Sequence, residues 1–195
     1  MMSIQWGAVN RAKHGQSVSG DTYVVEEMSN QQLLVAVIDG LGGGEEAAKA
    51  SSLAARVLRT ASDSSLENLI RQAHNALRST RGAVIAILRL ETTAKKVSYI
   101  GVGNIGIQVY STQQIKPISK NGILGYRMPT LLELHYQYNS GDTFVLYSDG
   151  ISGRFSLDDT LDRTMHPQQL AEAILTSYGK TSDDATVVVV RDDEA

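Results

Sequence analysis

Apolar residues along this chain fall into short runs separated by polar turns, and the period of the pattern lengthens to three and four over only two extended stretches. Tyr23 to Glu27 and Leu33 to Ile38 flank MSNQQ, which predicts a hairpin. The second run is apolar throughout, so both its faces are expected to be covered. Glu45 to Thr60 predicts a helix with Ala48, Leu53, Ala54, Val57 and Leu58 as its buried stripe. Glu45 and Glu46 near its start and Arg56 and Arg59 near its end suit the helix dipole. Ser65 to Arg78 predicts a second helix, because Leu66, Leu69, Ile70, Ala73 and Leu77 recur on one face.

Strand signals then dominate. Val84 to Leu90, Val97 to Gly101 and Ile105 to Tyr110, joined by TTAK and GVGN, predict an antiparallel meander. Leu131 to Tyr138 and Thr143 to Tyr147 predict a hairpin through NSGD. Pro167 opens a short helix over Gln168 to Ser177, since a proline is tolerated where the amide has no helical partner. Thr186 to Val190 is a closing strand. Strands, two helices, many strands, a helix and a strand do not make a regular βαβ alternation, so the expected class is α+β, with helices packed on antiparallel sheet.

A chain of 195 residues fits one domain, 1–195. The formal net charge of −3, from 21 acidic and 18 basic residues without a like-charge block, offers no footprint for nucleic acid or for a membrane surface. The absence of cysteine excludes thiolate nucleophiles and Cys-ligated zinc. No run is apolar enough for a signal peptide or a membrane span, so a cytoplasmic protein is expected. The oligomeric state stays open, with a monomer as the working expectation.

Three acidic sites share a local grammar. Asp39 follows LLVAVI and precedes GLGGG; Asp149 follows FVLYS and precedes GISG; Asp183 and Asp184 directly precede ATVVVV. Carboxylates held at strand ends are what hard divalent cations require, and the glycines beside two of them would let carbonyls or water approach. Asp-Gly is also a standard turn dipeptide, so spacing alone leaves turn and ligand both open.

Read in order, SGD (Ser19 to Asp21), VIDGLGGG (Val37 to Gly44), RGAVIAIL (Arg81 to Leu88), VGNIGI (Val102 to Ile107), YSDGISG (Tyr147 to Gly153) and DDATVVVV (Asp183 to Val190) resemble the successive motifs of the metal-dependent PP2C-type (PPM) serine/threonine phosphatases. The resemblance covers nearly the whole chain, and its compact form is most similar to the feedback phosphatases of the bacterial stressosome. It implies an αββα sandwich, with two antiparallel sheets face to face, pairs of helices outside them and a two-metal centre at one edge. Asp39 would bridge two Mn²⁺ or Mg²⁺ ions, the carbonyl of Gly40 would ligate one, and Asp149 and Asp183 would complete the other. Asp21 would sit in the outer shell and hold water. The implied reaction is direct in-line hydrolysis of phosphoserine or phosphothreonine on a signalling partner, namely phosphorylated stressosome scaffold proteins of the STAS-domain type, by water activated between the ions.

Protonation of the leaving oxygen would fall to metal-bound water or a nearby group. His14, His74, His135 and His166 are the candidates, with His74 and His135 expected in structural roles. The chain departs from the family pattern where substrate is gripped. Gln16 stands where an arginine binds phosphate, with Arg11 or Lys13 as possible substitutes. Ser19 replaces an asparagine, Asn104 an aspartate and Gly106 an arginine. The stretch from Gly150 to Ser182 is short for a flap subdomain, so an open cleft suited to a folded phosphoprotein is expected. The competing readings are a catalytically inactive PP2C-like regulatory or interaction domain, a hydrolase of small phosphate compounds, and a non-enzymatic metal-binding module.

Overall fold

The computed structural model describes residues 4–156 and 161–193. Among these described residues nine strands form two antiparallel sheets. The first sheet holds β1 (Ile4–Arg11), β9 (Ala185–Asp192), β8 (Thr143–Tyr147) and β6 (Gly106–Tyr110), in that order across the sheet. The second runs β2 (Asp21–Met28), β3 (Gln32–Gly40), β4 (Ala83–Glu91), β5 (Lys96–Val102) and β7 (Glu133–Gln137).

Period-two burial lets each central strand serve two cores at once. From β3, Leu33, Val35 and Val37 face the other sheet, where they join Phe144, Leu146, Val188 and Val190. The alternate residues Leu34, Ala36 and Ile38 face outward, beneath α1 (Gly44–Thr60) and α2 (Leu66–Ala76). On the far side Val145, Val187 and Val189 pack under α3 (Pro167–Tyr178), contributed to by Leu170, Ala171 and Ile174. The result is the αββα sandwich. Its outer layers are unequal: a pair of helices covers one sheet, as expected, whereas among the described residues the other carries the single helix α3.

The helix caps follow their chemistry. Ser65 accepts from Asn68 N at the start of α2, and His166 accepts from Gln168 N ahead of Pro167 in α3. The α2 stripe is buried as its pattern predicts. In α1 the stripe is rotated toward Ala47, Ala50, Ser51, Ala54, Ala55 and Leu58, with Ala48 only half-buried. Small residues win there because the helix lies close on the sheet: a Cβ on Gly40 would stand 2.0 Å from Ala47 O.

Two expectations need correction, and one strand went unread. The GVGN turn does not continue a meander, since β5 ends in one sheet and β6 begins in the other, where it pairs with β8. NSGD likewise joins β7 to β8 across the sandwich instead of closing a hairpin. Short connections favour antiparallel neighbours only while both strands stay in one sheet, and here each turn crosses the sandwich. The unread strand is β1, which the pattern does not announce. It is a half-exposed edge strand whose order comes from pairing with β9, with Ala8 opposite Val188. Among the described residues no helix is long and apolar enough to cross a membrane.

Candidate metal centre

Asp39 is carried to the rim by β3. The registers place Asp21 directly opposite it on β2 and Val84 on β4. Asp149 follows β8 and Asp183 precedes β9, so these neighbouring strands deliver both carboxylates to the same edge. Asp39, Asp149 and Asp183 all line one cleft of about 850 Å³. Gly40 is buried behind it under α1, and Asp21 is buried at 4% exposure.

The glycines after the two aspartates have a packing reason. Besides the contact of Gly40 with α1, a Cβ on Gly150 would stand 1.8 Å from Asp184 O, so neither turn can carry a side chain. Asp149 Oδ2 accepts from Asn104 Nδ2 at 2.9 Å, while Lys180 donates to the Asp149 carbonyl at 2.6 Å. Neighbouring Asp183 and Asp184 part company. Asp184 accepts from Lys13 N and Gly20 N, both at 2.9 Å, and so clasps the β1–β2 connection, whereas Asp183 turns to the cleft.

Burial and like charge combine on this rim. Asp39 is pushed up to about 8, first by desolvation and then by Asp21, Asp149, Asp183 and Asp184. Asp21 is pushed up to about 6, chiefly by desolvation and further by Asp184 and Asp149, with the hydroxyls of Ser148 and Thr186 acting against the rise. Its Oδ2 is buried without a hydrogen-bond partner among the described residues. An orphaned acceptor beside repelling carboxylates suits a divalent cation and its water, which would satisfy the oxygen and offset the repulsion. No three His, Asp or Glu side chains among the described residues stand close enough together to hold an ion.

The four histidines lie elsewhere. His74 accepts from Gly125 N, His135 faces Ser98, His166 caps α3, and the backbone of His14 bonds Thr181 O; none lines the cleft. Arg11 donates to Lys180 O, while Lys13 and Arg81 lie beside the glycine turn: a Cβ on Gly43 would meet Lys13 Nζ at 2.7 Å, and one on Gly42 would meet an Arg81 guanidinium nitrogen at 2.6 Å. Sequence reasoning missed the wall made by Asn121, Gly122, Ile123, Tyr126 and Arg127, in the segment between β6 and β7. That stretch lacks strand periodicity yet carries an Asn-Gly turn, and a long patternless connection in a compact fold was the available signal.

The sequence model of the family described as Stage II sporulation protein E (SpoIIE) matches residues 29–193. The chain belongs to the SpoIIE family of PP2C-type phosphatases. Phosphoserine phosphatase RsbX of Bacillus subtilis is 27% identical over 91% of this SpoIIE-family chain and 89% of its own length. A solved chain from work on the bacterial stressosome as a modular system adapted to control secondary messenger signalling is 34% identical, with a TM-score of 0.91, covering 96% of this chain and 99% of that one. A crystal structure of RsbX in complex with magnesium has a TM-score of 0.86 at 22% identity, over 96% of this chain and 94% of the other, and supports the fold.

Proposed function

We propose that this SpoIIE-family chain is a metal-dependent protein-serine/threonine phosphatase that removes phosphate from stressosome scaffold proteins of the STAS-domain type, as a feedback reset. The observation that carries the reading is the convergence of Asp39, Asp149 and Asp183 on one cleft, with Asp39 held near 8 by burial and neighbouring carboxylates. RsbX is named a phosphoserine phosphatase and has been solved with magnesium, and a chain from stressosome work is 34% identical; these support the substrate class, the cofactor and the partner.

Asp39, Asp149, Asp183 and the carbonyl of Gly40 would hold two Mn²⁺ or Mg²⁺ ions. Bound there, such ions supply Lewis acidity toward water and neutralise phosphoryl charge. The remaining work falls to the chain. Asp21 offers a buried acceptor, Oδ2, opposite Asp39, where it would hold water in the outer shell. Asp184 fixes the backbone of Lys13 and Gly20, and with it the approach to Asp21. The neutral Gln16 where an arginine is expected to bind phosphate favours a second reading, a catalytically inactive PP2C-like regulatory domain.

Incubation of the full chain with a ³²P-labelled STAS-domain scaffold and Mn²⁺ or Mg²⁺ separates the two. Release of inorganic phosphate that EDTA abolishes and added metal restores is the expected result. Metal binding by calorimetry without phosphate release would favour the inactive domain, and neither binding nor release would remove the metal assignment.

A further inference from the structure

Three carboxylates give the cleft a strongly negative lining, yet its proposed substrate is a phosphate monoester, itself an anion. Among the described residues lining it, Arg127 is the one cation. Its guanidinium is exposed and makes no hydrogen bond or ion pair within the described residues. A donor fork of this kind, standing free in a cleft, matches phosphoryl oxygens in shape and charge.

The backbone that carries Arg127 is fixed. Arg127 and Ile123 exchange both backbone hydrogen bonds, at 2.8 and 2.9 Å, and Leu124 does the same with Ala83 on β4, at 2.9 and 3.1 Å. Gly125, at φ +91°, donates to His74 Nδ1 at 3.1 Å. Only the side chain of Arg127 therefore has freedom left to lose on binding, which keeps the entropic cost low. Gln16, by contrast, lies against Gly44 and carries no charge.

We propose that Arg127 binds the phosphoryl group of the substrate and so takes the role that Gln16 cannot fill. The assignment rests on the phosphatase reading. It is tested on the full chain with Mg²⁺ by measuring kcat and KM for para-nitrophenyl phosphate and for a folded phosphoprotein. ³¹P NMR titration with inorganic phosphate supplies a readout independent of turnover. Arg127→Ala should raise KM for both substrates, and the phosphate dissociation constant, by roughly 10- to 100-fold, with kcat changed less. Arg127→Lys, which keeps the charge but loses the fork, should recover part of that loss. Arg71→Ala, on the exposed face of α2, should match wild type.

A phosphate affinity and a para-nitrophenyl phosphate KM within about twofold of wild type in Arg127→Ala would overturn the assignment. A defect confined to the phosphoprotein would overturn it too, by moving Arg127 to a protein contact. If wild type turns over neither substrate, the phosphatase reading fails, and the phosphate titration still decides the role of Arg127.

Discussion

One wall of the cleft consists of strand ends and the other of a loop hairpin, and they hold their functional groups by different means. Asp39, Asp149 and Asp183 take their places from the registers of two sheets, with glycines packed so tightly behind them that no substituent fits. Their positions are fixed while their charges oppose one another. The 120–127 hairpin is tied to β4 and β5 by backbone bonds, and to α2 through His74, and its Arg127 side chain has no hydrogen-bond or ion-pair partner among the described residues. The sheet-built wall is thus suited to chemistry and the loop-built wall to recognition. Changes in the hairpin should retune substrate preference while leaving metal affinity alone.

The sharpest way to break this comparison is at Asp39. Asp39→Asn should lower turnover by at least about 100-fold, since an amide cannot offset cation charge. Its metal-free melting temperature should stay the same or rise, because burial and four carboxylates already oppose ionisation there. Turnover within tenfold of wild type, with unchanged metal affinity, would remove Asp39 from the centre.

Neighbours Asp183 and Asp184 offer the next test. Asp184→Ala removes two charge-assisted bonds to backbone amides and should cost about 3 kcal/mol in denaturant unfolding. Asp183→Ala should do the reverse, weakening metal binding with little loss of stability. Equal stability losses in the two variants would erase the distinction between clasp and ligand.

The smallest effect is in pH, where the walls should respond in opposite directions. In EDTA, the raised values of Asp39 and Asp21 mean that the folded state holds their protons more tightly than the unfolded state does. Their contribution to stability is full below pH 3.8 and is lost as pH rises, through about 6 for Asp21 and about 8 for Asp39. Saturating Mg²⁺ should flatten that decline. His74 is lowered by burial and by Arg78, so its contribution is present above pH 6.5 and is lost as pH falls through its lower folded value. Amide exchange at Gly125, whose N–H it accepts, should therefore quicken on acidification. A Gly125 exchange profile unchanged by His74→Ala would break the link between α2 and the hairpin.

Much of this was legible in the chain itself. The both-faces apolar run of β3, the α2 stripe and the aspartates at strand ends are local signals, written where the residues stand. The strand partners were not, because GVGN and NSGD read as hairpin turns whether or not they cross between sheets. β1 was hidden because an edge strand takes its order from its neighbour. Arg127 escaped notice because nothing in the sequence sets it apart from Lys116 and Lys120 in the same connection, and only folding shows that it lines the acidic cleft.

The place of β1 bears on how the molecule assembles. Among the described residues the one sheet neighbour of this strand is β9, paired from Ile4 opposite Asp192 to Arg11 opposite Ala185. During synthesis β1 therefore waits for the last strand of the sandwich, which arrives together with Asp183 and Asp184. Closing so long a span is entropically slow. The event that docks β1 also lets Asp184 seize Lys13 and Gly20, so Asp183 and Asp184 join the Asp21–Asp39 pair only once the second sheet can hold it. A ribosome-bound chain lacking β9 would have the second sheet ready but neither Asp183 nor Asp184 at the rim, which ties assembly of the cleft to the arrival of β9.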